Sequence, residues 1–509
     1  MFGVASVSLV SPRNFIPGVV LATNNPQVAR YTVSAPQNSS VQIAFGLTNA
    51  YGLTTWSQPA PTWGGPVSIL VAGMRTNSTY HMQAIVLGAD GTRIVDSDHV
   101  FTTGGEFPAN EAAVQGSQNV VSTPSGLPPQ PGVELLALTG AQPTAVATDL
   151  EGNVIWSYTD EGADGEFTQP LKMLSNGDVL MVFGPNSSLP APPGFLNVAR
   201  EINLAGDTIR EIAVSTLNSR LAAGNFNLVV NYFHHDIVAL PNGHWLCLVN
   251  SNKEFSNLPG YPGTTTVLGD AIIDLDTNLQ PVWVWNAFDH LDINRHPYLF
   301  PDWTHSNAIV YSPDDGNLLL SIRHQNWIVK IDYRDGHGAG DVLWRLGQGG
   351  DFTLQGGTDP TDWFYAQHAP SFTSPNTAGV FSLVLFDNGD DRLFPSGVTC
   401  DSAGAPPCFY SSVPVLEVNE TTKVATLTFH YFPLNYSLSD YSYFGGNAEL
   451  LDNGNLEFDE CAPSAGPTRS IVTEITHEAT PKIVWQMTIP NNFAYRAFRI
   501  PSLYPGVQW

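Results

Sequence analysis

The stretch Ile273–Trp285, IDLDTNLQPVWVW, decides how this chain is read. An apolar residue runs into Asp274, a turn follows, and an alternating strand carries Trp283 and Trp285. Period-two alternation on both sides of a polar turn is a β-hairpin signal. The pattern recurs at Thr148–Trp156 (TDLEGNVIW), Glu201–Ile212 (EINLAGDTIREI), Ile331–Trp344 (IDYRDGHGAGDVLW), Glu417–Phe429 (EVNETTKVATLTF) and Glu474–Trp485 (EITHEATPKIVW). Anchored at Asp149, Asn203, Asp274, Asp332, Asn419 and Thr476, the copies recur about every 65 residues, toward the loose end of blade-type repeats.

A second element lies between successive hairpins: a strand that enters a turn. It reads QPLKMLSNGDVLM from Gln169, HDIVALPNGHWLCL from His235, HSNAIVYSPDDGNLLL from His305, HAPSFTSPNTAGVFSLVL from His368 and GNAELLDNGNLEF from Gly446. No such strand precedes the first hairpin. After the last, NNFAYRAFRIPSLYP from Asn491 supplies a strand with no hairpin behind it. Joining the two would complete one repeat and hide the sheet edges. The expected fold is all-β: a six-bladed β-propeller over residues 134–509, closed by both ends. Residues 1–104 read as a small separate β-domain. Its segment MRTNSTYHMQAIVLGADG (from Met74), ending in FTTG (from Phe101), resembles a fibronectin type III sandwich. Residues 105–133, with NVVSTPSGLPPQPG from Asn119, read as a linker.

Registering the second element by its turn sets Gln169, His235 and Gly446 seven residues before Asn176, Asn242 and Asn453, with His305 and His368 at matching places. Equivalent positions on the innermost strands of a propeller ring its channel. Three histidines in one ring suit either metal ligation or acid–base and nucleophilic work on an anion. By strand alternation Asn307 should face the same side as His305, and Arg323 should lie on the next strand. His324 should then face away. Arg323 and Asn307 favour the metal-free option, because a guanidinium fork matches oxyanions. His234 reads as structural, and FDNGDDR (Phe386–Arg392) as a hairpin turn.

The motifs HDIVALPNG, DWTHSNAIVYSPDDGNLLLSIRHQNWIVKID, LWRLG, QHAPSF, LFDNGDDR and YRAFRIPSLY together resemble the PAPS-independent arylsulfate sulfotransferase family. The resemblance covers most of residues 134–509. It implies sulfuryl transfer from a phenolic sulfate ester to a phenol, by a ping-pong route through a sulfohistidine. His368 would then be the nucleophile, with His235, His305 and Arg323 also catalytic and Asn307 binding the sulfuryl group. No cofactor and no metal are implied. The choice between His235 and His305 as acid/base stays open. So do a metal-dependent, lactonase-like propeller hydrolase and a propeller that binds an anion without turnover.

Bulk properties narrow the rest. A formal charge of −26 argues against nucleic acid as a partner. No apolar run reaches membrane-spanning length. The start, MFGVASVSLVSPRNF, lacks the basic and long apolar regions of a signal peptide. Cys400 and Cys408 flank DSAGAPP, where a disulfide or two reduced thiols are both compatible with the spacing. A bond there would signal an oxidising compartment. The resemblance makes that pair a counterpart of a family disulfide and implies a periplasmic or secreted enzyme. The expected partners are small aryl sulfates and phenols. The oligomeric state is left open, a homodimer being one option.

Overall fold

The computed structural model describes residues 15–105, 119–139, 144–160, 166–185, 196–359, 362–390, 392, 410–431, 441–464 and 466–509. Cys400 and Cys408 lie outside the described residues. The chain is all-β, with α-helices only at Val214–Ala223 and Ala287–His290 among those residues and single 3₁₀ turns at Arg323–Gln325 and Arg334–Gly336.

Six antiparallel sheets account for the large C-terminal part. One joins Val133–Thr139, Thr144–Thr148 and Val154–Thr159 to the C-terminal strand Phe493–Ile500. The next three begin with Glu166–Met173, Tyr232–Ala239 and Ser306–Ser312 and hold four strands each. A fifth begins with His368–Thr377, and Thr353–Gln355 joins its far edge in parallel. The sixth begins with Ala448–Leu450; its far edge is Val120–Ser122, a strand inside the expected linker. The first strands of successive sheets pack side by side. Phe493–Ile500 touches both the sixth sheet and Glu166–Met173.

The hairpins form for local reasons. Asp149, Asn203, Asp276, Asn419 and Thr476 each accept backbone N–H groups within their own turn. The repeated Trp residues tie sheet to sheet. The indole N–H of Trp156 reaches Leu204 C=O at 2.8 Å, that of Trp285 reaches Gly340 C=O at 3.0 Å, and that of Trp344 reaches Glu420 at 3.1 Å. Trp485 donates to Leu150 C=O at 3.0 Å, linking the sixth sheet to the first. Each ring is buried, so each N–H needs such a partner.

In the N-terminal part, a three-stranded and a six-stranded sheet share one apolar core around Tyr31, Ile43, Phe45 and Met82. Tyr504 and Trp509 at the C-terminus bond to Ala72 N–H and Thr54 C=O there.

Candidate active site

The registered histidines sit where their strands are broken. Ladder pairing shifts between Phe233 and Ile237, between Ser306 and Ala308, and between His368 and Ser371. His235 and His305 have φ of 54° and 48°, and Ala369, after His368, has 44°. Non-glycine residues in this left-handed region cost of order 1 kcal/mol each, held by the surrounding fold. The bulges swing the side chains off the sheet faces. The His235 and His305 rings lie 4.9 Å apart, edge to face. The Tyr495 ring stands 5.7 Å from His235 and 5.9 Å from His368. Tyr495, missed in the sequence, thus sits between two of the three.

His368 is buried, and its tautomer follows from its partners. Asn388 donates its amide N–H groups to the carbonyls of Ser442 (2.8 Å) and Gly445 (3.1 Å). Its oxygen therefore faces His368 Nδ1 at 2.7 Å, and Nδ1 must carry the proton. Nε2 keeps its lone pair, toward which the Gly445 N–H points at 3.3 Å. Burial, and then the Arg323 charge, push the His368 pKa well below the ordinary value, so the ring is neutral. His235 is driven down likewise, by burial and then by the neighbouring His234, His305 and His368.

His305 has a carboxylate partner: its Nδ1 lies 2.5 Å from Asp302 Oδ2. Burial opposes ionisation of Asp302, but His305 and then His324 hold its carboxyl well below the usual range. Asp302 is held in place by backbone bonding of Pro301 and Trp303 to Leu268. Turn registration could not find it.

Four sequence expectations need correction. Arg323 is not on a strand: the strand ends at Ile322, and Arg323–Gln325 forms a single 3₁₀ turn. Strand alternation fails there, so His324 does not face away. It stacks 4.6 Å from the His305 ring and 4.4 Å from Tyr298. Alternation does not hold at Asn307, which is the extra residue of a bulge between Ser306 and Ala308. It is fully buried and donates to Gln367 C=O at 2.7 Å. FDNGDDR is no simple hairpin turn: Asp387 pairs with buried Arg392 at 2.5 Å, Asn388 fixes His368, and Asp390 holds Arg323. His234, expected to be structural or on the surface, is buried, and its Nδ1 lies 2.7 Å from His235 Nδ1.

The Arg323 guanidinium spans three groups. It donates to His324 Nε2 (2.5 Å), Asp390 (2.5 Å) and Tyr443 C=O (3.1 Å). Under the histidines, Asp236 accepts the amides of Ile237 and Ile309 and faces Lys172 and Arg496 at 3.6 Å each. Arg496 also donates to Asn307 C=O. Further along the same strands lies a cavity of about 330 Å³, lined by Lys172, Asp236, Phe372, Glu449, Arg496 and Phe498.

Asp302, His305 and His324 bring three donor atoms within 4.8 Å of one another. Both His324 nitrogens are engaged, Nδ1 on Asp302 C=O and Nε2 on Arg323. Burial, with the His305 charge, pushes His324 down to about 3. That bonding leaves neither His324 nitrogen free to bind a cation.

Among solved structures, a protein of unknown function from Bacteroides caccae shares 13% identity at a TM-score of 0.41, over 72% of this chain and 98% of that one. A putative 6-phosphogluconolactonase from Bacteroides fragilis shares 11% at 0.31, over 91% and 98%. Likeness at that level carries no argument about fold or activity. No curated protein matches the chain. The family model Arylsulfotransferase (ASST), in contrast, matches residues 128–496. With nearly three quarters of its length matched to that sulfotransferase family, this chain belongs to the arylsulfotransferases.

Proposed function

We propose that the protein moves a sulfuryl group from a phenolic sulfate ester to a phenolic acceptor, through a sulfohistidine on His368 and without PAPS. The observation that carries this reading is the chain from the Ser442 and Gly445 carbonyls through Asn388 to His368. It leaves a neutral imidazole with its Nε2 lone pair directed away from Asn388, toward the Gly445 N–H whose 3.3 Å contact gives way when Nε2 bonds to sulfur. In the first half-reaction the S–O(aryl) bond breaks, its electron pair leaves with the phenolate, and an Nε2–S bond forms. The ring becomes cationic, and Asn388 Oδ1 accepts from the Nδ1–H that carries the charge. In the second half the acceptor oxygen attacks sulfur and the N–S bond breaks. Negative charge spread over the sulfuryl oxygens meets Arg323, the second N–H of Asn307 and a His305 backed by Asp302, donors fixed before reaction.

On this reading the six sheets are propeller blades over residues 134–509, the bulged first strands line the channel, and the strand Phe493–Ile500 closes the ring. Residues 1–104 form the fibronectin III-like sandwich, and 105–133 connect the two. The enzyme works outside the cytoplasm on small aryl sulfates and phenols.

The test is release of 4-nitrophenol from 4-nitrophenyl sulfate. Added phenol should accelerate it, and donor alone should leave one sulfuryl group on the peptide that carries His368. His368→Ala should abolish both. Phenol-independent release that a chelator stops and metal restores would favour a metal-dependent hydrolase instead.

A further inference from the structure

Behind His235 runs a line of three groups. Asp270, on the strand Tyr261–Leu275, accepts the Thr304 hydroxyl (2.7 Å) and the Ser306 amide (2.5 Å) on Oδ2. Its Oδ1 lies 3.2 Å from His234 Nε2. That approach is too bent for a linear hydrogen bond and acts mainly through charge. His234 Nδ1 then meets His235 Nδ1 at 2.7 Å. Asp270 and His234 are buried and His235 is half-buried, and Tyr232 packs edge-on against His234 at 5.7 Å.

One proton must lie between two ring nitrogens this close. If His234 gave it, a neutral His234 would turn a bare Nε2 lone pair toward the Asp270 carboxylate. If His235 gives it, His234 keeps its proton on Nε2, facing Asp270. The carboxylate selects the second arrangement, with a proton on His235 Nδ1 and a lone pair on its Nε2.

We propose that Asp270 and His234 make His235 the acid/base of the transfer through a two-histidine relay, an assignment that rests on the sulfuryl-transfer reading above. As the acceptor phenol attacks sulfur, its proton passes to His235 Nε2. The Nδ1 proton of His235 passes in turn to His234 Nδ1. His235 ends neutral in the other tautomer, and the imidazolium sits on His234 against Asp270. With a new donor the two transfers reverse, and His235 Nε2–H protonates the leaving phenolate. His235 itself is a poor place for a charge: His305, His368 and Arg496 face it from three other strands, with Tyr495 beside them. His305, whose Nδ1 stays on Asp302, keeps the donor role toward the sulfuryl oxygens. His234 and Asp270 are positioning residues that act through His235.

The test compares donors of graded leaving-group ability in the full-length protein. Asp270→Asn and His234→Gln, which leave His235 itself in place, should cut kcat/KM about 10- to 100-fold for phenyl sulfate, at or below the lower end of the usual range for acid–base assistance, yet about threefold or less for 4-nitrophenyl sulfate. The dependence of log kcat/KM on leaving-group pKa therefore steepens. Asp302→Asn should lower all donors together. Equal losses across the series for Asp270→Asn, or none, would overturn the relay. A readout free of turnover separates this from the transfer reading: ¹⁵N-imidazole NMR of the resting protein should show His235 protonated on Nδ1 and His234 on Nε2. The opposite tautomer on His235 overturns the relay whatever the enzyme's activity. A protein with the expected tautomers but no transfer to phenol would sink the sulfuryl-transfer reading instead.

Discussion

Replacing Asn388 by Ala should separate the state of the proposed nucleophile, His368, from its presence. The side chain makes three buried hydrogen bonds: it accepts from His368 Nδ1 (2.7 Å) and donates to Ser442 C=O (2.8 Å) and Gly445 C=O (3.1 Å). Each bond between neutral groups is worth about 1 kcal/mol net, and an orphaned buried group costs about 1–3 kcal/mol. Water entering the vacated space recovers part of that, so stability should fall by about 3 kcal/mol. For the reaction only the His368 bond counts. On the proposed sulfohistidine route it selects the Nδ1–H tautomer and would stabilise the cationic ring as the N–S bond forms. Losing about 1–1.5 kcal/mol there slows sulfation about tenfold. The assay is the burst of 4-nitrophenol on mixing with 4-nitrophenyl sulfate in the absence of acceptor. The variant should keep one burst equivalent per folded protein and lose rate. A folded variant whose burst rate stays within about twofold of the parent refutes the tautomer argument.

Acid should destabilise the protein through His235, His324 and His368, all held below their ordinary pKa. Above pH 6.5 both states are neutral at these rings; as pH falls the unfolded chain takes up protons that the native one refuses. From pH 6.5 to 5.5 each ring costs about 1 kcal/mol, about 3 kcal/mol together. Buried carboxyls held above the usual range, such as Glu449, Glu457 and Asp459, shift the profile the other way, so the check is a comparison: in urea titrations His324→Gln should lose about 1 kcal/mol less than the parent between the two pH values, and an unchanged difference would contradict the neutral ring. Asp459 has the opposite sense: burial holds its carboxyl well above the usual range, and neither oxygen has a partner among the described residues. Asp459→Asn should raise stability at pH 8 by about 1–3 kcal/mol and matter less at pH 5. Arg323→Lys keeps the charge but loses the fork across His324, Asp390 and Tyr443. Donor kcat/KM should fall about 100-fold with little change in thermal melting.

The architecture was legible because its cues are local. A turn such as Asp149–Asn153 is built by one side-chain oxygen collecting the N–H groups beside it, and Asn203, Asp276, Asn419 and Thr476 do the same in four other hairpins. The Trp that follows clasps the next hairpin, so the repeat carries its own packing signal. Even the unpaired strand at the C-terminus could be placed, since Phe493–Ile500 supplies what the first sheet lacks. Val120–Ser122 escaped notice because three residues with Ser and flanking Pro give no periodicity.

The ring of histidines was legible for the same reason, but its supporting groups were not, and the bulges explain both. Counting back from a turn finds a position along a strand, so His235, His305 and His368 emerge. It says nothing about direction once the chain leaves β geometry. There φ turns positive and the residue count across the ladder slips, so alternation no longer applies at Asn307 and it misplaces His324. The partners lie at unrelated sequence distances: Asp302 three residues before His305, Asn388 twenty after His368, Asp270 thirty-six beyond His234. Each reached its ring through tertiary packing of a loop or a neighbouring strand. What these partners do is nevertheless uniform. Each of the three histidines has Nδ1 tied to a different acceptor or base: an amide oxygen, a carboxylate, a second imidazole. That difference, rather than the shared residue type, is what can divide one ring into a nucleophile, an anion binder and a proton carrier. Exchanging the partners should therefore exchange the chemistry: Asn388→Asp, which gives His368 the kind of partner His305 has, should raise the proton affinity of His368 and move the acid limb of sulfation to higher pH.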